Sequence, residues 1–263
     1  MLEPPVEVPG VRSPQNPFLE ISDRERAERP TLAASRGFEG VAISPDGSLL
    51  YALLEGALAG DDAQDLRIYV YRIAERAFAA GFLKLRLEMP SLKVDQASLT
   101  DASGARVYPD AVAPPAGPVS IGELKAVNDR LLLLIERDNH GDDLQAPRFK
   151  KVFLLDTARA AENDGYVGKT LLVDLLAIPD PSPVGGDGDF FRLPFYTIES
   201  VYPVDERTLL VASDNNFPFS SGRSRSRSND RTGPLAADDT EIVLVRLGAP
   251  LEADRRLLPQ RSP

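Results

Sequence analysis

Apolar positions along this chain come in short runs divided by turn residues, with little of the spacing of an amphipathic helix. Three stretches share one layout: residues 38–44, the turn Pro45-Asp46-Gly47 and residues 48–55; residues 121–127, the turn Asn128-Asp129 and residues 130–138; residues 198–204, the turn Asp205-Glu206 and residues 207–214. An apolar run, an Asp, Asn or Gly turn and a second apolar run predict a β-hairpin. Each hairpin is followed by a loop and an alternating strand, at residues 66–73, 151–156 and 240–247. Two units show a fourth strand, at residues 82–88 and 170–175. One helical stretch is predicted, at residues 157–163.

Repeated four-stranded units predict an all-β fold of the β-propeller kind, with about three blades visible. Propellers normally have at least four blades, so the ring is expected to be incomplete. Either the N-terminal residues hide further strands, or the chain is a fragment of a domain whose other blades lie elsewhere, or it pairs with something else; the fragment is the preferred reading. Residues 1–35 read as an N-terminal tail or linker, 36–247 as the propeller domain and 248–263 as a C-terminal tail. Residues 101–118 and 178–194, rich in Pro, Gly and Asp, read as loops between blades.

Composition narrows the chemistry. With 40 acidic and 30 basic residues the net charge is −10, which argues against a nucleic-acid partner. The absence of Cys excludes disulfides and thiolate chemistry, and a single His excludes sites built on several imidazoles. No apolar run is long enough to span a membrane, and the N-terminus lacks the basic and apolar regions of a signal peptide. Carboxylates remain as the carriers of function.

Their placement follows from hairpin geometry, since the start of the first strand and the end of the second share one end. Centring each turn places Glu39 opposite Leu54 beside Glu55, Glu123 opposite Leu134 near Glu136, and Glu199 opposite Ala212 near Asp214. Carboxylates gathered on one propeller face repel one another unless a cation neutralises them, and Ca²⁺ takes six to eight such oxygens. Asn215 and Asn216 add amide oxygens beside Asp214. Each acid read singly is an ordinary solvated loop residue; their recurrence at one register makes them a set.

The segment Arg36-Gly37-Phe38-Glu39-Gly40-Val41-Ala42-Ile43-Ser44-Pro45-Asp46-Gly47 resembles the esterase-like, phytase-like family of β-propellers. So do Leu131-Leu132-Leu133-Leu134-Ile135-Glu136-Arg137-Asp138 and Ser213-Asp214-Asn215-Asn216-Phe217-Pro218-Phe219-Ser220-Ser221-Gly222-Arg223, in the same order and spacing. The resemblance spans about residues 37–247 and lacks the family's N-terminal blades. It implies a phosphoric ester hydrolase, extracellular or periplasmic, dependent on Ca²⁺ and acting on a small phosphorylated or ester substrate. By it Glu39, Glu123, Glu136, Asp138, Glu199, Asp214 and Glu241 are the conspicuous acids, and Arg137 and Arg223 the phosphate contacts. Glu136, Asp138, Arg137 and Arg223 are thus the catalytic candidates. Glu39, Glu55, Glu123, Glu199, Asp214, Asn215 and Glu241 are the metal candidates.

Other features read as plain structure. His140 reads as a loop residue, although its ordinary pKa would suit acid–base work. Arg137 could fork onto a phosphate or pair with the acids on either side of it. The tract Arg223-Ser224-Arg225-Ser226-Arg227-Ser228 reads as a loop, and Gly185-Gly186-Asp187-Gly188-Asp189 as a linker without the context of a metal or phosphate loop. No Gly-x-Ser-x-Gly elbow offers a nucleophilic serine. Two rival functions stay open: a non-catalytic propeller module that binds through the same face, and a metal-dependent, lactonase-like propeller enzyme.

Overall fold

The structure, a computed structural model, describes residues 8–15, 30–91, 119–141, 148–182, 189–214 and 240–259. These residues form an all-β fold of antiparallel sheets with one short 3₁₀ helix, Thr157–Glu162. The first sheet holds β1 (Phe38–Ile43), β2 (Leu49–Leu54) and β3 (Asp65–Arg72). Its edge is shared by β4 (Ala77–Phe78) and β5 (Leu83–Arg86), which pair with opposite ends of β3. The second runs β6 (Ser120–Ala126), β7 (Leu131–Arg137), β8 (Lys150–Asp156), β9 (Gly168–Asp174). A small hairpin, β10 (Ile178–Pro179) with β11 (Phe190–Phe191), lies where a loop was expected. The third sheet runs β12 (Thr197–Asp205), β13 (Thr208–Asp214), β14 (Ile242–Arg246). The three predicted hairpins and their following strands are all present.

The sheets stack face on face because strand side chains alternate. On β7, Leu132 and Leu134 join a core with Leu53, Leu66, Ile68 and Leu85 of the first sheet. Leu131, Leu133 and Ile135 join another with Ile198, Val201, Leu209 and Val211 of the third. A run that is apolar at every position is what a strand covered on both faces requires. Each of these buried side chains is worth roughly 1.5–3 kcal/mol relative to exposure.

The first strands of neighbouring sheets touch most closely at two glycines. A Cβ at Gly40 would stand 2.7 Å from the Cβ of Leu124, and one at Gly122 only 2.1 Å from the carbonyl oxygen of Ile198. These positions need a residue without a side chain for β1 to reach β6 and β6 to reach β12.

Two stretches read as tails contain packed residues. Leu32 and Ala33 are buried, Leu32 beside Leu54, Leu58 and Tyr69 on the far face of the first sheet. Beyond β14, Leu251 is buried, the Asp254 N–H donates to the Val127 carbonyl (2.8 Å), and Tyr202 Oη donates to the Leu257 carbonyl.

Candidate functional site

Each of the three glutamates read from the hairpins sits on a β-bulge. Pairing runs regularly from Ile43↔Leu50 to Gly40↔Leu53, then slips so that Phe38 faces Leu54 and Glu39 faces nothing. In the second hairpin Gly122 and Glu123 lie between the pairs Ile121↔Glu136 and Leu124↔Leu134. In the third, Glu199 is the extra residue between Ile198↔Ser213 and Ser200↔Ala212. The expected partners are therefore corrected by one residue: Leu54 faces Phe38, Leu134 faces Leu124, and Ala212 faces Ser200. A bulge breaks strict alternation and re-aims the side chain it carries.

The strand ends do converge, and cations hold them together. Arg36 donates through one terminal nitrogen to Glu55 (2.5 Å) and to the Ser120 hydroxyl (2.6 Å), tying the first sheet to the second. Arg137, at the end of β7, donates to Glu199 across the second gap (2.7 Å) and to the Asn139 side chain. Glu39, exposed, lies within electrostatic reach of both Glu55 and Glu199. Burial raises the pKa of Glu55 and of Glu199, against the pull of Arg36 and Arg137 respectively.

Beneath this mouth Lys150 is wholly buried. Its ammonium donates to the backbone carbonyls of Asp138 (2.5 Å) and Tyr196 (2.9 Å) and pairs with Asp138 Oδ1 (2.8 Å). Burial pushes it down to about 8, with Asp138 opposing. The other Asp138 oxygen accepts the N–H groups of Arg148 (2.7 Å) and Phe149 (3.0 Å), so this acid braces the β7–β8 connection. His140, half-buried, stands 3.6 Å from the same oxygen, and its Nδ1 has no hydrogen-bond partner among the described residues.

Glu136 belongs to a different face. One residue from Arg137, it points toward the first sheet, where it pairs with Lys169 and accepts the N–H of Glu88 (3.4 Å). Burial raises its pKa and Lys169 opposes this. Asp214 ends β13 opposite Thr197, and Glu241 is bound through its main chain to Ser213. Asn215 and Arg223 lie outside the described residues. So do the Arg-Ser tract and residues 185–188.

Glu123 is half-buried, accepts the Val201 N–H (2.6 Å), and has its pKa raised chiefly by burial. Between its ordinary and raised values the folded chain holds more protons than the unfolded one, so stability falls as pH rises through that window. Glu123→Gln keeps an acceptor and removes the charge. Its melting temperature is expected to exceed that of the wild type at pH 7, the difference vanishing below the ordinary glutamate range. Thermal melts across pH check this.

Three basic residues the sequence reading passed over, Arg36, Lys150 and Lys169, are the partners of the predicted acids. Parity could have exposed one: Lys150 lies two positions from Val152 on the buried face of β8. Elsewhere, an apolar groove of about 770 Å³ between β9, the β10–β11 hairpin and β14 is lined by Leu172, Ile178, Phe191, Val243 and Val245, among others. It shares none of the charged residues at the mouth.

These features define an all-β protein of stacked antiparallel sheets whose strand ends meet in a cluster of paired charges. The chain belongs to the phytase-like family: the family described as "esterase-like activity of phytase" matches residues 5–217, starting upstream of the segment that carried the resemblance. No curated protein matches the sequence. Among solved structures, hydrazine synthase of Kuenenia stuttgartiensis is similar at 9% identity, with 82% of this chain and 64% of that chain covered. The chain thus spans less than two thirds of that structure, and the TM-score of 0.24 is too low to bear on the fold. Among the described residues no helix is long and apolar enough to cross a membrane.

Proposed function

We propose that the chain hydrolyses phosphoric esters at the mouth where its strand ends meet, and that its three sheets are blades of a β-propeller. The observation that carries this is the Arg137 guanidinium. Its side chain is 7% exposed, yet Nε has no hydrogen-bond partner among the described residues. A buried donor left over after Glu199 and Asn139 are served calls for an acceptor from outside, and a phosphoryl oxygen suits a guanidinium. Arg36 supplies a second cation at the same mouth. Family membership adds the reaction class, and an extracytoplasmic location goes with it.

The chemistry asked of these residues is modest. Arg137 and Arg36 orient the phosphoryl group and offset the charge that develops on its oxygens. Glu39, exposed and aimed by its bulge, takes a proton from the attacking water. The new P–O bond forms from that water, the ester P–O bond breaks, and the alcohol leaves with a proton from solvent.

Calcium does not fit the described residues as they stand. Glu55, Glu199 and Asp138 already hold cations of the protein, Glu123 holds a backbone N–H, and among the described residues no three acidic or His side chains gather to hold a metal. No step is drawn through it. The test is turnover on a panel of phosphomonoesters, phosphodiesters, carboxylic esters and lactones, with EGTA or with added Ca²⁺. Phosphoester turnover that survives EGTA is expected. Turnover of lactones alone, or of nothing, overturns the reading, and EGTA-sensitive turnover restores Ca²⁺ to the mechanism.

A further inference from the structure

Among the described residues, the outer edge of β14 is an unsatisfied surface that the site does not explain. The Ser213 N–H donates to the Glu241 carbonyl (3.0 Å) and the Leu247 N–H to the Arg207 carbonyl (2.7 Å). By the alternation of an antiparallel ladder, the odd-numbered residues of β14 therefore bond to β13. The N–H and C=O groups of Ile242, Leu244 and Arg246 point the other way. Among the described residues β14 pairs with β13 alone, leaving a three-stranded sheet, whereas β8 in the second sheet has β9 beyond it. Ile242 and Leu244 are each 67% exposed. A free edge flanked by bare apolar side chains invites another strand.

We infer that this edge pairs with β14 of a second copy, antiparallel about a two-fold axis beside Val243, to make one continuous six-stranded sheet. The strand is complementary to itself in that register. Ile242 faces the second copy's Leu244, and Leu244 its Ile242, so the four side chains form one apolar patch on the same face. Arg246 faces exposed Thr240 of the second copy, whose hydroxyl can accept from the guanidinium. The outward-pointing residues of each copy all fall at hydrogen-bonded positions. The two Arg246 side chains, which would repel if opposed, stand at opposite ends of the patch. The contact is one strand edge and a small patch, below the ~1,200 Å² of a stable interface, so the dissociation constant is expected to be of order 10 µM.

The chain has no Cys, so introduced ones report cleanly. Residues facing each other at a hydrogen-bonded position have Cα atoms ~5.5 Å apart, within the span of a disulfide. In the full-length chain, an equal mixture of Ile242→Cys and Leu244→Cys is expected to form a disulfide-linked dimer under mild oxidation. Leu244→Cys mixed with Ile43→Cys, exposed on the first sheet, should not. Sedimentation should show the wild type dimerising with concentration. Leu244→Lys should weaken this at least tenfold without changing the melting temperature. Thr240→Glu, which sets a carboxylate opposite Arg246 of the second copy, should tighten it, and Thr240→Arg should loosen it. A wild type that is monomeric at ~100 µM, about ten times the expected constant, overturns the inference. So does a dimer indifferent to Leu244→Lys, or one cross-linked through residue 43 instead.

Discussion

Arg137→Ala is expected to lower kcat/KM for a phosphoric ester by about 10²–10³-fold, a loss of about 3–4 kcal/mol in transition-state stabilisation. The reason lies in the buried Nε: with the two terminal nitrogens bonded to Asn139 and Glu199, the third nitrogen of the planar fork is left for substrate. Arg137→Lys keeps the charge and loses the fork, so it should recover the fold and little of the activity. Glu39→Gln separates orientation from proton transfer, because it should lower kcat while leaving KM nearly unchanged. Steady-state kinetics beside thermal melts decide the matter. Arg137→Ala with full turnover and an unchanged melt would remove the arginine from the chemistry.

Gly122→Ala should be the most damaging single-methyl change in the described part of the chain. Its Cβ would fall 2.1 Å from the Ile198 carbonyl oxygen, and that contact is with backbone, which cannot swing aside as a side chain can. The third sheet would have to move away from the second, opening the core around Ile135, Ile198 and Val201 and stretching the Arg137–Glu199 pair. Overpacking of this kind costs about 3 kcal/mol, which for a chain of this size lowers the melting temperature by roughly 6–12 °C. Gly40→Ala, whose Cβ would stand 2.7 Å from the Cβ of Leu124, should cost less because the overlap is smaller, although a Cβ is fixed by its backbone and cannot swing aside either. Calorimetry on both variants tests the order. Equal melting temperatures would mean that the gap between the second and third sheets is looser than that distance implies.

Much of the fold was legible because period-two alternation and turn chemistry agree along the chain. Leu131 to Ile135 reads as a strand buried on both faces, and it is one. The same run should also have signalled that Glu136 and Arg137, which continue it, would be buried and divided between opposite faces. Reading them as one cluster merged two ion pairs that the strand separates. The bulges escaped for a different reason: an extra residue leaves no mark in an alternating pattern, and Glu39, Glu123 and Glu199 look like ordinary members of their strands. Arg36 was read only as part of a motif, because nothing in sequence spacing reveals that it reaches Ser120. The β10–β11 hairpin was hidden by its length, two residues on each side.

The bulged glutamates have a consequence for how such a protein can change. A residue that faces no partner across the ladder can be exchanged without disturbing the pairing above and below it. Of the three, Glu123 and Glu199 each bind a neighbouring strand, and only Glu39 is exposed, so the rim it occupies is loosely coupled to the interior. New specificities can be tried there one position at a time, on a scaffold that scarcely registers the experiment.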